Sequence, residues 1–152
     1  NWSGHGYFDA NFGTNALEKD FSYWTWGRFP TSDGSIAFYD AIPRNSNPLN
    51  LALHFKKNGQ VQQMKAPPPI TPMRRSLWLV KRNTRSDADF KPRQVKHMLD
   101  TPFYTRSAVE TSIMGERVIG VHEALDLNRF ANPALKPLLA VKAPRYTLGK
   151  TK

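Results

Sequence analysis

Apolar side chains recur at every second position through much of this chain. Phe21, Tyr23 and Thr25 alternate with Ser22, Trp24 and Trp26; Ile36, Phe38, Asp40 and Ile42 alternate with Ala37, Tyr39 and Ala41; Leu51, Leu53 and Phe55 alternate with Ala52, His54 and Lys56. A period of two sends successive side chains to opposite faces of an extended strand, so each run reads as a strand with one or both faces covered. Positions 60–65, 77–85, 94–99, 103–114 and 117–125 behave alike and, with 6–11, bring the expected total to about nine short strands. Ser32-Asp33-Gly34, Asn58-Gly59 and Met114-Gly115-Glu116 separate consecutive runs and carry the residues that tight hairpin turns require. Regular spacing of this kind predicts an all-β, antiparallel barrel or sandwich.

Two segments interrupt the pattern. Ala66-Pro67-Pro68-Pro69 with Pro72 lacks the N–H groups that a ladder needs, so it reads as an extended connector inside one domain. Positions 126–130 and 133–136 read as short C-terminal helical turns, with Asp126 or Asn132 as N-cap. No acidic residue follows Asp126, while Arg129, Lys136, Lys142, Arg145, Lys150 and Lys152 do. The expected organisation is a domain over 1–145 and a basic tail over 146–152. The chain opens on Asn1 without a charged-then-apolar leader, which reads as a processed or truncated piece of a longer protein.

Composition narrows the classes. The 152 residues are 39% hydrophobic and 12% aromatic, enough apolar material for a packed core. The absence of cysteine excludes disulfides, thiolate metal sites and cysteine nucleophiles. No apolar run approaches the roughly 18–20 residues of a membrane-spanning helix. The 22 Lys and Arg against 12 Asp and Glu give a net charge of +10. Clusters at Arg74-Arg75, Lys81-Arg82, Arg85, Lys91, Arg93 and Lys96 raise nucleic acid as a partner, with Trp78 and Phe90 able to stack on bases. The aromatics nevertheless concentrate in the N-terminal strands, away from that basic cluster. An anionic membrane surface or plain solvation accounts for the charge equally well, and the expectation is no nucleic-acid partner.

Candidate chemistry is densest at the N-terminus. Alternation places Tyr7, Asp9 and Asn11 on one side of a strand. Facing a barrel interior, the Asp9 carboxyl would be desolvated and kept protonated, an acid able to act near neutral pH; in the other reading Asp9 and Asn11 hold a turn and Tyr7 is core. Trp24 and Trp26 share a face continued by Arg28, either an aromatic wall for a long apolar or cationic species or two core rings beside a paired arginine. His5, His54, His97 and His122 form no HxH or HExxH spacing, so no metal site is expected. Glycine-rich phosphate loops and serine nucleophile elbows are absent.

Five strings in order, 4–13 (GHGYFDANFG), 20–28 (DFSYWTWGR), 37–44 (AFYDAIPR), 100–107 (DTPFYTRS) and 121–130 (VHEALDLNRF), with Ala143-Pro144-Arg145, resemble the carotenoid 1,2-hydratase (hydroxyneurosporene synthase) family of photosynthetic bacteria. The resemblance implies a lipocalin-like (calycin-like) β fold in two related halves, this chain being the C-terminal part and the N-terminal half lying outside it. It implies cofactor-independent addition of water to the terminal C1=C2 bond of an acyclic carotene, as in the spheroidene and spirilloxanthin routes. Asp9 would be the acid, with Tyr7 orienting it or the water. Trp24, Trp26, Asn11 and Arg28 would bind substrate, and a His-x-Trp pair would lie upstream. A water-insoluble substrate and a basic surface imply peripheral attachment at the cytoplasmic side of an anionic membrane. The rival readings are a non-catalytic lipocalin-like module holding a lipophilic ligand and an enzyme of similar fold acting on another polyene or terpenoid, including by pericyclic chemistry.

Overall fold

The computed structural model describes Phe8, Ala10 and residues 12–140. A single helical turn, α1 (Leu17–Asp20), leads into nine strands: β1 (Phe21–Thr31), β2 (Gly34–Pro43), β3 (Leu49–Lys56), β4 (Val61–Gln63), β5 (Ile70–Met73), β6 (Arg82–Arg85), β7 (Arg93–Asp100), β8 (Tyr104–Ile113) and β9 (Glu116–Asp126). The turn α2 (Leu127–Phe130) and a 3-10 turn (Lys136–Ala140) follow. Two antiparallel meanders, β1 to β4 and β7 to β9, join where β1 pairs with β9, giving one seven-stranded sheet in the order β4-β3-β2-β1-β9-β8-β7. The all-β antiparallel expectation holds. Among the described residues the sheet stays open, and β5 and β6 form a separate two-stranded ladder.

The expected hairpin turns form. Met114 and Gly115 both have positive φ, 55° and 81°, the geometry of a two-residue turn whose twist matches the flanking strands. Asp87 braces this turn from outside, accepting hydrogen bonds from the Ser112 hydroxyl (2.7 Å) and the Met114 and Gly115 amides (3.1 and 2.8 Å). Burial alone would raise its pKa, but these bonds outweigh it and hold the carboxyl below its ordinary range. Asp126 caps α2, its Oδ1 accepting from the Arg129 amide at 3.0 Å.

Three expectations are corrected. Positions 77–85 are not one strand: Ser76 and Val80 close a turn, and β6 begins only at Arg82. Pro72 does not end the ladder; it sits within β5 opposite Asn83, because a strand in a two-stranded ladder has a free edge where a missing N–H costs nothing. Positions 6–11 yield no strand where described, since Phe8 and Ala10 belong to no regular element; Gly6, Tyr7, Asp9 and Asn11 lie outside the described residues.

Strand register divides the sheet into two faces. Phe29, Ile36, Phe38, Ala52, Val109, Ile113 and Val118 pack on one face against Met73 of β5. Gly120 makes this possible: a Cβ there would lie 2.1 Å from the Arg28 carbonyl oxygen and 2.5 Å from the Phe29 ring. Further along the same face the chemistry turns polar, with Thr25, Asp40, Thr105, Ser107, Thr111 and His122 all buried. These side chains hold the hairpin down. Alternate carbonyls of one strand point to the same side, and the Lys81, Asn83 and Arg85 carbonyls accept from the Tyr23 hydroxyl (2.8 Å), His122 Nε2 (2.7 Å) and the Thr111 hydroxyl (2.9 Å). Side chains of the large sheet thereby do for the free edge of β6 what a neighbouring strand would do.

Candidate functional site

With one face filled by its own hairpin, the sheet carries its remaining chemistry on the other. Trp24, Trp26 and Arg28 of β1 lie there together, opposite Ala41, Tyr39 and Ala37 of β2 and Leu125, Glu123 and Val121 of β9. Trp24 stacks on Tyr39 with ring centroids 5.7 Å apart and planes 18° from parallel. Trp26 is 9% exposed, and Trp24 Nε1 is buried with no hydrogen-bond acceptor among the described residues.

A carboxylate neighbours these rings. Glu123 stands opposite Trp26 on one side and Arg106 on the other, and its Oε1 lies 3.3 Å from Arg106 Nε. The Tyr104 phenol, two positions before Arg106 on β8, interacts with the same carboxylate. Burial first, then the charge of Glu123 and a hydrogen bond with that side chain, push the Tyr104 phenol well above its ordinary pKa, so it remains a donor throughout the neutral range. The face therefore combines buried and stacked aromatic rings with an arginine-paired carboxylate and a phenol, and at one end Trp24 and Tyr104 pack against the buried Phe103, Leu125 and Leu127.

The residues expected from the sequence divide accordingly. Trp24, Trp26 and Arg28 share one face, as their alternation requires. Asp9, Tyr7 and Asn11 lie outside the described residues. Glu123, Tyr104 and Tyr39 were missed as members of this face. The alternation of β9 already puts Glu123 opposite in sense to His122, but the register that brings β8 and β2 alongside is not local information. His122 turns inward and is 1% exposed. Among the described residues no group of three His, Asp or Glu converges as metal ligands would.

An open antiparallel sheet with one face filled by its own hairpin, and with Trp24, Trp26, Glu123 and Tyr104 gathered on the other, defines an all-β chain. The chain belongs to the carotenoid hydratase CrtC family, whose model matches residues 1–152. It is 55% identical to the acyclic carotenoid 1,2-hydratase of Cereibacter sphaeroides over 144 residues, covering 95% of this chain and 51% of that protein. It is 52% identical to the acyclic carotenoid 1,2-hydratase of Rhodobacter capsulatus over 151 residues, 99% of this chain and 54% of that protein. The protein of the same name from Thiocapsa roseopersicina is 41% identical over 144 residues, 95% of this chain and 36% of its own length. The chain thus spans about half the length of the first two relatives and corresponds to their C-terminal part. No solved structure matches it.

Proposed function

We propose that the protein to which this chain contributes adds water across the terminal C1=C2 bond of an acyclic carotene of the neurosporene or lycopene type. What carries the reading is the identity of 55% and 52%, along nearly all of this chain, to two proteins named for 1,2-hydration of acyclic carotenoids.

Asp9 delivers a proton to C2, the C1=C2 electron pair becomes the new C2–H bond, and C1 is left as a tertiary cation. Water bonds through its oxygen to C1 and releases a proton back to the Asp9 carboxylate, with Tyr7 orienting the exchange. The product is a tertiary alcohol and the acid is restored, so the cycle needs no cofactor. The rings of Trp24 and Trp26 face the cation, and Asn11 and Arg28 line the substrate's path. The reaction takes place at the cytoplasmic side of the membrane that holds the carotene, with the protein peripheral to it and its net charge of +10 turned toward anionic lipid.

The test is expression of the full-length protein in lycopene-producing cells. The unaltered protein yields a hydroxylated pigment. Asp9→Asn abolishes that pigment and leaves the β-rich circular dichroism spectrum unchanged; continued turnover by the Asn variant would overturn the assignment.

A further inference from the structure

The turn that displaces the start of β6 does something unusual with apolar side chains. Ser76 and Val80 anchor it below the surface, at 7% and 0% exposure, while Leu77, Trp78 and Leu79 between them are 85%, 52% and 60% exposed. This tip is held rather than loose. The Leu77 amide donates to Asp100 Oδ2 (2.6 Å), the Leu79 amide to the Ser76 carbonyl (3.0 Å), the Val80 amide to Ser76 Oγ (3.2 Å), and Arg129 to the Trp78 carbonyl (2.7 Å). Leu79 has φ of 61°, a left-handed conformation that a branched side chain adopts only when its surroundings impose it. The strain is not compensated by burying that side chain.

Beside the tip lies a cleft of about 800 Å³ between this turn and β7, lined by Arg74, Arg75, Arg82, Arg93 and His97 with the carboxylate of Asp100; Arg93 is paired with Glu110 and the buried Arg82 bonds the Arg74 carbonyl and Gln94, while Arg74 and Arg75 are exposed. The Asp100 carboxylate is already engaged by the Leu77 amide. A rigid Leu-Trp-Leu tip bordered by arginines matches the layering of a bilayer surface, with apolar groups entering the acyl boundary, the indole at headgroup depth and cations at the phosphates.

We propose that the 76–80 turn and its arginine-lined cleft form a membrane-docking element, in which Leu77, Trp78 and Leu79 insert into an anionic phospholipid surface and Arg74 and Arg75 meet its headgroup phosphates. The proposal rests on the reading that the protein meets a water-insoluble substrate at a membrane, and it gives that contact a location. The exposed tip and the surplus of cations argue for lipid over a protein partner, which would require a complementary acidic and apolar surface.

The test uses full-length protein with no carotene present, sedimented with vesicles of phosphatidylcholine alone or mixed with phosphatidylglycerol. The unaltered protein binds the anionic vesicles preferentially and less tightly as salt rises. The combined variant Leu77→Ser, Trp78→Ser, Leu79→Ser keeps its circular dichroism spectrum and binds about 100-fold more weakly. Arg74→Glu with Arg75→Glu removes the preference for phosphatidylglycerol, whereas Arg74→Lys with Arg75→Lys keeps it. Unchanged binding by the triple variant overturns the proposal. So does failure of the unaltered protein to bind any vesicle, the outcome expected if another part of the polypeptide or a partner protein covers the tip. Hydration of detergent-dispersed lycopene, measured on the same preparations, separates the two readings: turnover without vesicle binding removes the docking element and leaves the hydratase standing, and vesicle binding through the tip without turnover does the reverse.

Discussion

Arg85 and Asp40, forty-five positions apart, meet through a two-pronged ion pair between the hairpin and the large sheet. Arg85 Nε donates to Asp40 Oδ2 at 3.1 Å and Nη2 to Oδ1 at 2.5 Å, with the two side chains only 7% and 10% exposed. Arg85 Nη1 also donates to the Pro68 carbonyl at 3.0 Å and Nη2 to Asn50 Oδ1 at 3.4 Å, and the group lies 5.9 Å from the centre of the Phe38 ring. Removing one partner strands the other charge out of water. Asp40→Leu or Arg85→Met is therefore expected to cost about 3–5 kcal/mol in urea unfolding, and the double replacement Asp40→Leu with Arg85→Met to recover much of that loss. Additive single costs would mean that the pair does not act as a unit.

His122 makes stability depend on pH. Burial pushes its pKa from 6.5 down to about 4; the hydrogen bond to the Asn83 carbonyl works against that shift, and the charge of Arg82 reinforces it. In the unfolded chain the imidazole takes up a proton below about 6.5 while the folded chain refuses it until about 4. Across that window the unfolded state holds more protons, so stability falls as pH falls; above the window the contribution is constant, and below it the slope disappears. The full span is worth roughly 3 kcal/mol. Urea unfolding above and within the window measures it, and His122→Gln is expected to flatten the profile there. An identical slope in the variant would remove His122 from the account.

The strands of the large sheet were legible because each has two dissimilar surroundings, and a period of two records that difference. Phe38 against Tyr39, and His122 against Glu123, are examples. The turn at Met114-Gly115 and the Asp126 cap were legible for a related reason, since both are settled by a few adjacent atoms. The β5–β6 hairpin was not. Its proline reads as a ladder breaker, and the bonds that seat it come from Tyr23, His122 and Thr111, side chains distant in sequence. The meeting of Glu123 with Tyr104 and Arg106 was hidden likewise, because it depends on the pairing of β8 with β9. Of the expected site, alternation put Trp24, Trp26 and Arg28 on one face, as the sheet register has them, and put Tyr7, Asp9 and Asn11 on another, which lies outside the described residues.

The aromatic face leads to a prediction about rate. If Trp24 and Trp26 face the carotenyl cation, each ring contributes about 1–2 kcal/mol to the transition state. Trp24→Leu and Trp26→Leu in the full-length protein are then expected to lower kcat about 10-fold, with Trp→Phe at either position retaining most of it. Steady-state kinetics on dispersed lycopene decide the matter, and a change confined to KM would assign the rings to substrate binding alone.

In the proposed hydration water is the co-substrate and C2 receives a solvent proton. Incubating full-length protein with lycopene in heavy-oxygen water, and separately in deuterium oxide, tests it by mass spectrometry of the product. The expected product is a tertiary alcohol whose oxygen carries the heavy label and, in deuterium oxide, one carbon-bound deuterium at C2 for each hydrated end. A hydroxyl oxygen drawn from dissolved oxygen, or a product without deuterium at C2, would contradict it.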